Sequence, residues 1–194
     1  YWFVTTFGSE YVGRYNLDTD QLIDIIPVDD APALMVLNEQ DKKLYVSRMM
    51  PMGGMMMGAV STVVQEIDYS DPETMELSHV FSVGSPVPHG LAINQDGSEI
   101  YVASNTADWL YKIMPATNER DSVVMDPNSL NIFAPNLETD KLKPIQCISV
   151  KDSLLFITCS GGITSKWNST DNVFEYYTVP GQVQLWNTNS MTII

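Results

Sequence analysis

Short apolar runs separated by polar clusters organise this chain from end to end. PALMVLN, KLYVS, TVVQEI, ELSHVFSV and IYVAS are each roughly five to eight residues long, rich in β-branched and aromatic side chains. Turn formers such as NEQDKK and NQDGSE close them. Runs of this length predict strands, and no stretch carries the 3.6-residue periodicity of an amphipathic helix. The expected class is therefore all-β.

The runs also repeat. PALMVLNEQDKKLYVSR from Pro32, PHGLAINQDGSEIYVASN from Pro88 and PIQCISVKDSLLFITCS from Pro144 align, with 56 residues between successive prolines. The proline stands 13 residues before Tyr45 and Tyr101 and 12 before Phe156. Each segment reads as strand, polar turn, strand. A third strand follows (YVGRY, TVVQEI, WLYKIM, VQLW), then a fourth (QLIDIIPV, ELSHVFSVG, DSVVM, MTII). Four short strands recurring at this spacing predict β-propeller blades; a sandwich lacks such a register and solenoid repeats are usually shorter. The expected units are 1–31, 32–87, 88–143 and 144–194, antiparallel four-stranded blades amounting to about three and a half. Second strands outnumber first strands four to three, so the expectation is an arc of a larger propeller, or one completed by another chain.

VGSPVPHGLAINQDGSEIYVASN, residues 83–105, resembles the repeat of YVTN-type β-propellers: a Val-Gly turn, a Pro-x-Gly-apolar strand, an Asp-Gly turn and an apolar-Tyr-Val-Ala/Ser-Asn strand. Residues 27–48 depart from it at Asp29, which replaces the glycine, and at Asp41-Lys42, which replaces the Asp-Gly turn. Residues 144–160 share the pattern alone. The resemblance implies a propeller of about seven blades in a periplasmic, secreted or cell-surface protein, and no single activity.

Acids outnumber bases 24 to 10, giving a formal charge of −14. Such a surface repels phosphate backbones and anionic membranes, and the scattered Lys and Arg form no basic patch, so nucleic acid is not an expected partner. No stretch of 18 apolar residues is present to form a transmembrane helix. The chain opens at Tyr1 inside an expected strand, without an initiator Met or a signal segment, which leads us to expect further sequence upstream. Cys147 and Cys159 flank one hairpin; they read either as two buried thiols or as a disulfide.

Two insertions interrupt the repeat between second and third strands, and both are expected on one rim. GGITSKWNSTDNVFEYYT spans 161–178, and MMPMGGMMMG, residues 49–58, holds six of the eleven methionines. Thioether sulfur selects Cu(I), so Met50, Met52, Met55, Met56 and Met57 are candidate copper ligands; the same side chains equally make adaptable apolar contact surface. His89 is either a ligand in the central channel or a turn histidine bonded to backbone, and His79 reads as a strand-surface residue. Asp18, Asp20, Asp68, Asp71 and Asp96 lack the spacing of a calcium loop and read as turn caps. Asn168-Ser169-Thr170 fits the glycosylation pattern. No G-x-S-x-G, C-x-x-C-H or H-E-x-x-H motif occurs. These features point to a non-catalytic, cofactor-free binding module that touches a protein partner through Met49, Met50, Met52, Met55, Met56, Met57 and Trp167. A copper-handling or redox propeller is the alternative, and a lactonase-like hydrolase a weaker one.

Overall fold

The computed structural model describes residues 1–29, 31–48, 62–84, 87–104, 108–125, 142–151 and 153–194. Every element among them is a β-strand. In chain order they are β1 (Trp2–Thr6), β2 (Tyr11–Tyr15), β3 (Leu22–Pro27), β4 (Pro32–Asn38), β5 (Lys43–Arg48), β6 (Val63–Asp68), β7 (Glu76–Ser82), β8 (Pro88–Ile93), β9 (Ile100–Ser104), β10 (Trp109–Met114), β11 (Glu119–Val124), β12 (Pro144–Lys151), β13 (Leu154–Cys159), β14 (Gly162–Asn168), β15 (Val173–Val179), β16 (Gln182–Asn187) and β17 (Thr192–Ile193). They form antiparallel sheets ordered β1-β2-β3, β4-β5-β6-β7, β8-β9-β10-β11 and β12-β13-β16-β17, with β14-β15 as a separate two-stranded ribbon. This is a β-propeller arc of about three and a half blades.

The period of two that marks each strand also builds the seams. Cross-strand rows Val36–Tyr45–Glu66 and Ala92–Tyr101–Lys112 point from one blade to the next. Between them the rows Leu91–Val102–Tyr111 and Cys147–Ile157–Gln184 point back. Apolar clusters therefore fill each seam: Val12, Leu44, Val46 and Ile67 in the first, Tyr45, Phe81, Ile100 and Val102 in the second, Tyr101, Leu110, Leu155, Ile157 and Trp186 in the third. Tyr45 is held in its neutral form, because burial first and then the Glu66 carboxylate raise its pKa.

Polar clamps cross the same seams. Arg14, fully buried, donates from Nη1 to the Asp71 carbonyl at 2.6 Å, with its guanidinium 3.8 Å from the centre of the Tyr1 ring. The Met75 amide donates to Asp24 at 2.7 Å, and Asp108 accepts the Leu142 and Lys143 amides at 2.9 and 3.0 Å. Lys112 bridges to Glu99 at 3.0 Å and to the Thr188 carbonyl at 3.3 Å.

The backbone repeats as well as the side chains. Ala31, Val87 and Lys143, each immediately before the proline of an inner strand, have φ of 52°, 56° and 50°. A left-handed residue turns the chain sharply from the outer strand of one blade into the inner strand of the next. Gly90 serves close packing between blades, since a Cβ there would stand 2.9 Å from Gln146 Cα and 2.9 Å from the Ile145 carbonyl, so glycine lets β8 lie directly against β12. The Asp96-Gly97 turn is wider than a two-residue hairpin, closing between Asn94 and Glu99, and Gly97 has a positive φ, 76°.

Candidate interaction face

Antiparallel blades sort their connections onto two ends. The turns β2–β3, β4–β5, β6–β7, β8–β9 and β10–β11 lie on one end; the links β1–β2 and β3–β4 and the β13–β16 insertion lie on the other, where β5, β7, β9 and β11 also end. The first end is acidic. Asp18, Asp20, Glu39, Asp41, Asp71, Glu73, Glu76, Asp96 and Glu119 are all exposed there. Most of these turns are stabilised by their own polar residues: Asp71 accepts the Glu73 and Thr74 amides at 2.8 and 3.0 Å, which holds its carboxyl below the usual range, and Asn16 does the same for Asp18 and Thr19 at 2.9 and 3.0 Å. Asp68 accepts Lys43 Nζ at 2.8 Å and the Ser70 amide at 2.7 Å, and its pKa falls to about 2.

A cleft of about 370 Å³ opens on this end between the β4–β5 and β8–β9 turns, lined by Asp41, Lys43, Tyr45, Glu66, Asp96 and Ser98. Its polar groups are already engaged: Lys43 lies 3.4 Å from Glu66, which accepts the Ser78 hydroxyl at 2.6 Å, while Asp96 accepts Ser98 Oγ at 2.6 Å. Among the described residues no group of three His, Cys, Asp or Glu is arranged to hold a metal ion.

The other end carries exposed Glu10 and Asp29 in its β1–β2 and β3–β4 links, and its apolar feature among the described residues is the inserted ribbon. The insertion at 161–178 is a ribbon, β14 paired with β15 from Gly162↔Val179 to Asn168↔Val173. Its departure from the blade is bracketed by Gly161-Gly162, with φ of 58° and 127°, and by Pro180-Gly181. Its tip is an Asx turn: Asn168 Oδ1 accepts the Thr170 and Asp171 amides at 2.9 and 3.2 Å, and its Nδ2 donates to Asp171 and Glu175 at 2.9 and 2.7 Å. The amide of the glycosylation triplet is thus engaged in the turn. Trp167 meets Phe174 edge to face at 4.9 Å, and Ile163, Trp167, Phe174 and Tyr176 are 71, 47, 56 and 72% exposed. Phe174 and Tyr176 were not singled out by sequence reasoning, although alternation in VFEYYTV carries the signal.

The remaining candidates distribute as follows. Met49, Met50, Met52, Met55, Met56 and Met57 lie outside the described residues. His89 sits on inner strand β8 with Nδ1 2.7 Å from the Ile145 carbonyl of β12. Nδ1 donates in that contact, and β4, β8 and β12 place no carboxylate beside the ring. His79 on β7 packs 4.4 Å from Phe81, with Nε2 3.3 Å from Asn118 Oδ1. Cys147 and Cys159 are free and buried, in register with Ile157 and Pro144 rather than with each other. Burial pushes the Cys159 thiol up to about 12 and raises that of Cys147 as well. No helix among the described residues is long and apolar enough to cross a membrane.

No family model matches this chain, and no curated protein matches it. Solved structures do. A chain of Kuenenia stuttgartiensis hydrazine synthase is 17% identical with a TM-score of 0.68, covering 99% of this chain and 44% of that one. A chain of the mitotic checkpoint complex is 11% identical with a TM-score of 0.60, covering 96% and 44%. The β-propeller domain of Myceliophteria thermophila Cps50 (Swd1) is 14% identical with a TM-score of 0.53, covering 77% and 41%. This chain is similar to these in fold, and spans less than half the length of each. A β-propeller module is the class that fold and comparisons define together.

Proposed function

We propose that this propeller is a non-catalytic binding module of YVTN type, working outside the cytoplasm, and that the end bearing the ribbon is where a partner protein docks. The observation that carries this reading is the exposed aromatic face of the ribbon, set on the end opposite the most acidic turns. Exposed carboxylates crowd the turns of one end, while the other, which also exposes Glu10, Asp29 and Asp171, presents the ribbon face of Ile163, Trp167, Phe174 and Tyr176. The same reading gives the uncharged sequence of 49–61, outside the described residues, a part in this contact. Exposed apolar patches of this kind mark protein contact sites. Similarity to propellers in an enzyme and in a checkpoint assembly supports a fold suited to assembly.

A further blade is part of the same reading. Ile148–Phe156–Leu185 occupies the forward row of the last blade, the position that Tyr45 and Tyr101 fill in buried seams, yet Ile148 is 52% exposed. An apolar sheet face packs on another sheet.

Co-purification from the native source tests the docking end. Met55, Met56 and Met57 replaced together by Ser, and separately Trp167→Ser, should each reduce partner recovery several-fold while strand content by circular dichroism stays constant. Asp71→Asn with Glu73→Gln, on the acidic end, should not. Equal losses from both ends would sink the proposal. Stoichiometric copper in the purified protein would favour the methionine ligand alternative instead.

A further inference from the structure

Ribbon β14–β15 is a two-stranded sheet, and such a sheet is marginal in water unless one face is covered. All four apolar residues of one face, Ile163, Trp167, Phe174 and Tyr176, are exposed, and none carries a charge. Taking about 200 Å² for a full side chain of this size, the face offers roughly 500 Å². Asp171 and Glu175 are instead drawn to Asn168 at the tip.

We propose that the occupant of this face is a second copy of the chain, the two ribbons stacking about a two-fold axis. The inference rests on the reading that this end is the docking end. Net charge argues against most ways of pairing two copies at −14 each, but not against this one. Strands of about six residues separate the two ends by roughly 20 Å, so contact through the ribbons leaves the most acidic turns some 40 Å apart or more; on the ribbon's own end Glu10 and Asp29 lie in links of the first blades, and Asp171 and Glu175 are held by Asn168 away from the aromatic face. The Debye length at physiological salt is only ~8 Å, so the repulsion is screened. A basic partner finds no exposed anionic surface on the aromatic face to recognise. Two such faces together bury roughly 1,000 Å², the lower limit for specific association, so the dimer forms at micromolar concentration and dissociates on dilution.

Sedimentation velocity of the purified 194-residue chain from about 1 to 100 µM tests this. A concentration-dependent dimer is expected, unchanged or tighter in about 1 M salt because no ion pair holds it. Ile163→Lys with Tyr176→Lys, which spares the Trp167–Phe174 pair, should weaken dimerisation at least tenfold with an unchanged circular dichroism spectrum. Independently of folding in that variant, dilution should red-shift tryptophan emission in the wild type and not in Trp167→Phe. A monomer throughout, a dimer that salt dissolves, or a dimer indifferent to the lysines overturns the proposal. Co-sedimentation of a monomer with phosphatidylcholine vesicles overturns it in favour of a lipid surface. A monomer whose ribbon is protected by another protein overturns it while leaving the docking-end reading intact.

Discussion

Replacing Gly90 with alanine probes the closest approach between two blades. The new Cβ would meet three backbone atoms of β12: Gln146 Cα at 2.9 Å, the Ile145 carbonyl oxygen at 2.9 Å and the Cys147 nitrogen at 3.1 Å. No side chain can rotate away from such a contact, so one inner strand must move by about half an ångström to reach ordinary van der Waals distance, and overpacking of this kind costs about 1–3 kcal/mol. The shift also lengthens the 2.7 Å contact between His89 and the Ile145 carbonyl. Lower unfolded-state entropy returns about 0.4–1 kcal/mol. Gly8 supplies the control: its Cβ would meet nothing within 4 Å, so Gly8→Ala keeps the entropic gain and has no clash. The two variants should therefore differ by about 1–3 kcal/mol, or roughly 3–10 °C in melting temperature for a chain of this size. Urea and thermal unfolding followed by circular dichroism measure this difference. If Gly90→Ala is as stable as Gly8→Ala, the two inner strands do not touch as described, and the seam between the last two blades is wrong.

Gly97→Ala combines a positive φ of 76° with a collision against the Asn38 amide, so it should destabilise by at least 1 kcal/mol, a loss readable in the urea midpoint. Acid unfolding should have a component from Asp68: its pKa is depressed to about 2 in the folded state, so this contribution is complete above the unfolded value near 4 and disappears as pH falls toward 2. Asp68→Asn should flatten the stability profile across that window and leave it unchanged near neutrality apart from a constant offset. Cys147 and Cys159, buried and with raised pKa values, should resist a thiol-specific chromogenic reagent in the native protein and both react in denaturant; rapid native labelling at pH 7 would contradict their placement.

The blades were legible because the signal is local and recurs. Pro32, Pro88 and Pro144 mark the inner strands at a 56-residue period, and alternation along each strand separates forward rows from backward rows. The ribbon was legible only as an interruption. Its strands GITSKWN and VFEYYTV alternate, and NSTDN closes them by an Asx turn like that at Asn16, yet nothing in the repeat predicts a hairpin there. Arg14 was invisible for a different reason: an arginine in a strand reads as solvent-facing, and its burial follows from carbonyls of the β6–β7 turn, 57 residues away. Val87 at φ 56° has no local cause either, since β-branched residues avoid that region; the link between blades imposes it.

Footprinting of the partner-bound protein addresses the docking end most directly. Hydroxyl-radical labelling reports side-chain exposure, and methionine, tryptophan and tyrosine react readily. Binding should protect Trp167, Phe174, Tyr176 and the methionines of 49–57, while Leu17 and the other exposed residues of the acidic turns remain labelled as in the free chain. Protection confined to the acidic turns, with the ribbon still fully reactive, would contradict a docking site on the end bearing the ribbon.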